Sequence, residues 1–190
     1  DEKRLAEWRD RLSSAVGQHG QLLVSLLPEM QLILGAQPAL GPMSPAEAHQ
    51  RFARVMRRFI AVFATEQTPL TLFLDDLQWA DAASLKLLED VATHPSTRSL
   101  LLVGAYRSTE VPPDHVLEQT LARIRGKGTP VDTITLGPLS ADALARLVGD
   151  TLRAPPAQCE PLLRLLSAKT GGNPLFFTRQ FAALHRARVI

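Results

Sequence analysis

Cysteine is almost absent from this 190-residue chain. Cys159 is the single thiol, so no internal disulfide framework can form. Its neighbours Leu162, Leu163, Leu165 and Leu166 make it read as a small buried hydrophobe rather than a catalytic thiol. An excess of one charge is also missing. The 21 basic and 19 acidic residues leave a formal net charge of +2, too balanced to argue for nucleic acid or a membrane surface. Arg54, Arg57 and Arg58 share one helix, where a solvated face accounts for them. The five His residues show no metal-ligand spacing. No apolar run approaches the length of a membrane span, no signal peptide opens the chain, and no internal repeat is visible. A cytoplasmic setting is the expectation.

What is present is an ordinary globular composition, with 45% apolar residues, enough for one domain or a domain plus a subdomain. Residues 1–34 read as helical, with Leu5, Trp8, Leu12 and Val16 at helical spacing and Trp8 as a packing anchor. A linker rich in Gly and Pro follows over 35–45. Ser44, Pro45 and Glu47 then form a capping box ahead of a helix whose stripe is Ala48, Phe52, Val55, Met56, Phe59, Ile60 and Phe63.

Next come two short apolar runs, 70–75 and 100–106, which read as strands buried on both faces. A helix over 82–93 with Asp81 as its N-cap separates them. Strand, helix, strand in so short a span is a βαβ unit with parallel strands and a right-handed crossover. Asp114 is expected to cap a further helix, and 131–136 to form a third, more alternating strand. After Gly137-Pro138, three helices are expected, opened by Ser140, by Pro155-Pro156 and by Asn173-Pro174.

The first apolar run ends in Asp75 and Asp76. Two acids at the carboxyl end of a parallel strand sit where open α/β sheets hold ligands. Nucleotide hydrolysis uses such a pair, one acid holding Mg²⁺ directly or through water and the other orienting the attacking water. Acids that merely cap the next turn would look the same. Leu72 to Asp81 matches a Walker B motif. With Gly104-Ala105-Tyr106-Arg107 and Gly171-Gly172-Asn173-Pro174-Leu175-Phe176, it resembles the STAND-type AAA-like ATPase module of large bacterial signalling proteins. The whole chain is similar to the module of hybrid sensors that carry serine/threonine-kinase and histidine-kinase domains.

The resemblance implies an α/β fold, an incomplete P-loop NTPase sheet of the ASCE/AAA-like kind followed by an all-α lid. The expected divisions are 1–66 as helices packing on the core, 67–137 as the α/β core and 138–190 as the lid. Asp75 would help position Mg²⁺, and Asp76 would orient water. Arg107 would sense the γ-phosphate, and Gly172, Asn173 and Pro174 would lie at the nucleotide, with Pro174 near the adenine. Plainer roles compete at each place: a solvated strand-end Arg, and helix punctuation by Gly, Asn and Pro. Gln78 and Trp79 belong to the Walker B signature, and Trp79 could equally brace the turn.

A phosphate-cradling Gly-x-x-x-x-Gly-Lys-Ser/Thr segment is missing. Gly126-Lys127 is the nearest imitation, but Leu121 and Gly128 break the pattern. The chain is therefore read as a segment that begins after the P-loop, whose strand would lie between the second and third strands. The implied parent is an ATP-dependent signalling switch in a two-component sensor kinase, with ATP and Mg²⁺ as ligands. Its partners would be other domains of the parent chain, with self-association open and no membrane or direct nucleic-acid contact. The alternatives are the ATPase module of a LuxR-type transcription activator and an interaction scaffold with a degenerate nucleotide site.

Overall fold

The computed structural model describes residues 2–187 and 189. Two compact units divide the chain, one running to Asp132 and the other starting at Thr133, ahead of Gly137-Pro138.

The first unit opens with helices α1 (Glu2–Val16), α2 (Gly20–Leu26), α3 (Met30–Leu34) and α4 (Pro45–Phe63). The helical stripe of α1 buries Leu12 and Val16 against Leu23, Met30, Leu34, Val55 and Val62. Trp8 stacks on Phe63 at 5.2 Å, so it is a packing anchor. The start of α4 is fixed by reciprocal bonds, Glu47 N–H to Ser44 Oγ at 3.3 Å and Ser44 N–H to Glu47 Oε2 at 2.9 Å.

Strand β1 (Leu70–Leu74) then pairs in parallel with β2 (Leu100–Gly104), in a register from Leu70 opposite Leu100 to Leu74 opposite Gly104. Helix α5 (Ala82–Thr93) makes the crossover, and the Asp81 carboxylate caps it by accepting from Ser84 N–H at 2.7 Å. Helix α6 (Val116–Gly126) follows. Leu85, Val111 and Leu117 are buried together, with Leu77, Tyr106 and Leu121 packed against them.

Three expectations are corrected. The strands are buried on one face only: Leu70, Leu72 and Leu74 are half-buried, whereas Phe73 is 62% and Leu101 59% exposed. Apolar residues on both faces need cover on both, and the described residues supply it on one. Residues 131–136 form no strand, and Ile134 and Leu136 are exposed. A lone segment has no ladder to join, and the sheet among the described residues has only two strands. The cap of α6 is His115, not Asp114. A turn bond from His115 N–H to Pro112 O leaves His115 as the last extended residue, and its Nδ1 accepts from Leu117 N–H at 3.1 Å.

The second unit is all-helical: α7 (Ala141–Leu152), α8 (Pro156–Thr170) and α9 (Pro174–Arg186). Ser140 caps α7 through a bond from Ala143 N–H at 3.2 Å. Leu144, Val148, Cys159, Leu166 and Phe177 form its core, with Cys159 only 2% exposed, as a small hydrophobe should be.

Helices α5 and α6 are joined by a charge cluster that local patterns do not announce. Glu89, with a side chain 3% exposed, accepts from Lys127 Nζ at 2.6 Å and Arg123 Nε at 2.9 Å. The Lys127 and Arg123 hydrogen bonds hold its carboxyl at about 2, far below the ordinary 4.5, against the opposing effect of burial. A carboxyl with a lowered folded value contributes stability that is complete above the unfolded value and fades as pH falls through the folded one. Glu89→Gln should therefore cost about 1–3 kcal/mol at neutral pH. In urea melts the gap between variant and wild type should narrow as pH falls from 4.5 toward 2.

Candidate functional site

The parallel register brings the carboxyl ends of β1 and β2 side by side, and backbone bonds extend the pairing past both strands. Ala105 N–H donates to Leu74 O at 2.8 Å, and Leu77 N–H donates to Ala105 O at 3.0 Å. Gly104 lies close to the Leu77 side chain, where a Cβ would stand 2.5 Å from Leu77 Cδ1 and the leucine would have to shift. Asp75 and Asp76 follow β1 directly, and Arg107 follows β2 within three residues of Gly104.

Asp76 adopts the left-handed conformation, φ 53° and ψ 39°, before a single 3-10 turn over Leu77–Trp79. Few side chains sit there cheaply, and aspartate is among those that do. Its amide donates to the Asp75 carboxylate at 2.9 Å. The Asp76 carboxylate accepts from Gln78 Nε2 at 2.8 Å and lies 3.9 Å from Arg107 Nε. Asp75 is exposed and Asp76 half-buried, so both acids remain open to water.

Arg107 is held by more than Asp76. Its Nη1 reaches Glu110 Oε1 at 3.0 Å, and its guanidinium lies 5.3 Å from the centre of the Trp79 ring. Trp79 Nε1 donates to the second Glu110 oxygen at 3.2 Å. Trp79 thus braces this cluster, although its ring is mostly exposed. Glu110 was not singled out in the sequence. The available signal was its spacing of three residues from Arg107, a common surface pairing that does not by itself mark a site.

Among the described residues, no group of three or more His, Cys, Asp or Glu side chains could hold a metal ion. Two adjacent carboxylates open to water still suit Mg²⁺, which keeps most of its waters and takes one or two carboxylates alongside substrate phosphates. The donor set fits a cation that arrives with a phosphate ligand, and does not make a closed protein cage.

Gly172, Asn173 and Pro174 belong to the second unit. Gly171 and Gly172 both have positive φ, 58° and 78°, and end α8 in left-handed backbone. Asn173 caps α9, its Oδ1 accepting from Leu175 N–H at 3.0 Å and Phe176 N–H at 3.2 Å, with Pro174 at the first helical position. Helix punctuation is therefore present at all three residues. Asp75, Asp76 and Arg107 are brought together within the first unit, while this trio forms its own constellation within the second.

A two-stranded parallel sheet with a helical crossover and many flanking helices is consistent with a fragment of a P-loop NTPase-like AAA fold. The family of AAA ATPase domains matches residues 1–103, more than half of the chain, and the chain belongs to that family. It is also similar to hybrid signal transduction histidine kinase G of Dictyostelium discoideum, 35% identical over 82 residues. That stretch covers 43% of this chain and 2% of the kinase, so the chain spans a small part of its relative's length. No solved structure matches the chain.

Gly172 supplies a direct test of the second constellation. A Cβ there would meet Leu139 O at 2.9 Å and Pro138 Cβ at 3.0 Å, and the left-handed backbone adds strain for any side chain. Gly172→Ala should lower the stability of the helical unit by about 1 kcal/mol or more, read as a lower melting temperature. An unchanged melting temperature would show that the contact with Leu139 yields freely.

Proposed function

We propose that this chain is part of an ATP-dependent switch of the STAND type, within a multidomain cytoplasmic signalling kinase. The observation that carries the reading is the juxtaposition of Asp75-Asp76 and Arg107 at the carboxyl edge of two paired parallel strands, with Arg107 Nε 3.9 Å from Asp76 Oδ1. An α/β nucleotide hydrolase needs an acid and a cation at that edge. The AAA family membership and the similarity to a hybrid histidine kinase support the same assignment.

In this reading Asp75-Asp76 is the Walker B pair. Asp75 holds Mg²⁺ with ATP, directly or through water. The ion, when bound, neutralises charge on the terminal phosphates. Asp76 orients the attacking water and accepts its proton. Arg107 leaves its carboxylate neighbours to stabilise negative charge gathering on the γ-phosphate. Gly172, Asn173 and Pro174, in the helical unit, are the further residues that this reading assigns to nucleotide binding. A phosphate loop must come from elsewhere in the parent, because no residues here form one.

Three outcomes follow. Calorimetry of the 190-residue chain with ATP and Mg²⁺ should show weak binding or none, and low-micromolar affinity would overturn the need for an outside phosphate loop. In the intact parent, Asp76→Asn should slow turnover about 100-fold while sparing binding. Asp75→Asn should weaken Mg²⁺-dependent binding about tenfold. Unchanged turnover in Asp76→Asn would sink the water-orienting role.

A further inference from the structure

Gln78 is the one residue of the acidic turn that is fully enclosed, 7% exposed between the half-buried Leu77 and the exposed Trp79. Enclosing a primary amide is costly unless both of its ends find partners. Both do. Nε2 donates to Asp76 Oδ1 at 2.8 Å, and Oε1 accepts from Arg107 N–H at 3.2 Å. The orientation of the amide is settled by chemistry. A backbone N–H can only donate, so the oxygen must face Arg107. An ionised carboxylate can only accept, so the nitrogen must face Asp76.

The two partners stand at the ends of different strands. One short side chain therefore ties the acid after β1 to the first backbone donor of the arginine segment after β2. It also takes up one oxygen of Asp76, whose left-handed backbone needs surrounding contacts to persist. We propose that Gln78 is a positioning residue that fixes the Asp76 carboxylate relative to Arg107, so that water orientation and phosphate sensing keep a set geometry. The proposal rests on the nucleotide reading above and acts through Asp76, without contact to the substrate.

Two variants separate the ends of the amide. Gln78→Met keeps length and loses both bonds. Gln78→Glu keeps the acceptor for Arg107 N–H and, at a pH where both carboxyls are ionised, loses the donor to Asp76. In this chain, hydrogen exchange at the Arg107 amide should speed up about tenfold in Gln78→Met and stay slow in Gln78→Glu. In the intact parent, both variants should lower turnover about tenfold or more with nucleotide affinity nearly unchanged. Combined with Asp76→Asn, either should add little further loss, because residues that act as one unit are not additive.

Unchanged exchange at Arg107 in Gln78→Met overturns the bridge. Full additivity with Asp76→Asn, or wild-type turnover in both Gln78 variants, overturns the positioning role. If Gln78→Met fails to fold, Gln78→Glu decides: lost turnover with a protected Arg107 amide supports the proposal, and wild-type turnover rejects it. Failure of the nucleotide reading looks different. Asp76→Asn itself would then leave turnover unchanged, while exchange at Arg107 would still report on the bridge.

Discussion

The cluster of Asp75, Asp76, Gln78 and Arg107 depends on the parallel pairing of β1 with β2. Antiparallel pairing would put the residue after one strand beside the residue before the other. Parallel pairing, imposed by the crossover through α5, puts both carboxyl ends on one edge. The register then fixes which residues meet. Leu74 stands opposite Gly104, and the ladder continues through Ala105 to Leu77. A slip by one residue would move Gly104 away from Leu77 and turn the side chains of the strand to the opposite face. The acidic pair and the arginine, far apart in sequence, are neighbours because five residue pairs align upstream of them.

The charge balance at that edge limits what it can do alone. Asp76 and Glu110 flank the guanidinium of Arg107, and Asp75 adds a third acid next to Asp76. Such a group of side chains does not attract a polyphosphate. It suits a cation that accompanies one, and it holds one positive side chain in reserve. Most of the attraction for an anionic ligand would have to come from backbone donors of the kind a phosphate loop presents.

Local chemistry was legible in the sequence. Ser44, Asp81, Ser140 and Asn173 all cap the helices that their side chains announced, because an N-cap bond spans only two or three residues. The acidic pair stood out for the same reason, as an abrupt change at the end of an apolar run. Features that depend on distant partners were not legible. The apolar runs suggested cover on both sheet faces, yet Phe73 and Leu101 remain exposed. Residues 131–136 alternate like a strand without becoming one, because alternation describes a surface and supplies no neighbour. Glu89 carries no local signal, because its partners Arg123 and Lys127 lie 34 and 38 residues away in sequence, at the neighbouring α6. Gln78 was read as part of a motif, and only the fold reveals that both ends of its amide are used.

The segment carrying Arg107 combines a fixed backbone with a free side chain. Its N–H is held by Gln78, and its carbonyl accepts from Glu110 N–H at 2.9 Å. On one side Tyr106 packs beside the Leu85, Val111 and Leu117 core, and its hydroxyl donates to Glu118 at 3.1 Å. Burial, reinforced by that bond, pushes the Tyr106 hydroxyl above its usual range and keeps it a donor. On the other side Val111 enters the same core, which α5 and α6 share and Glu89 cross-links. The guanidinium, by contrast, is 58% exposed and bound by surface contacts that are individually weak. A ligand could therefore move the charge of Arg107 by rotating its side chain at little cost. Moving its backbone would require breaking the core. A weakly held side chain on a firmly held backbone keeps any movement of the guanidinium local and leaves the geometry of the acids undisturbed.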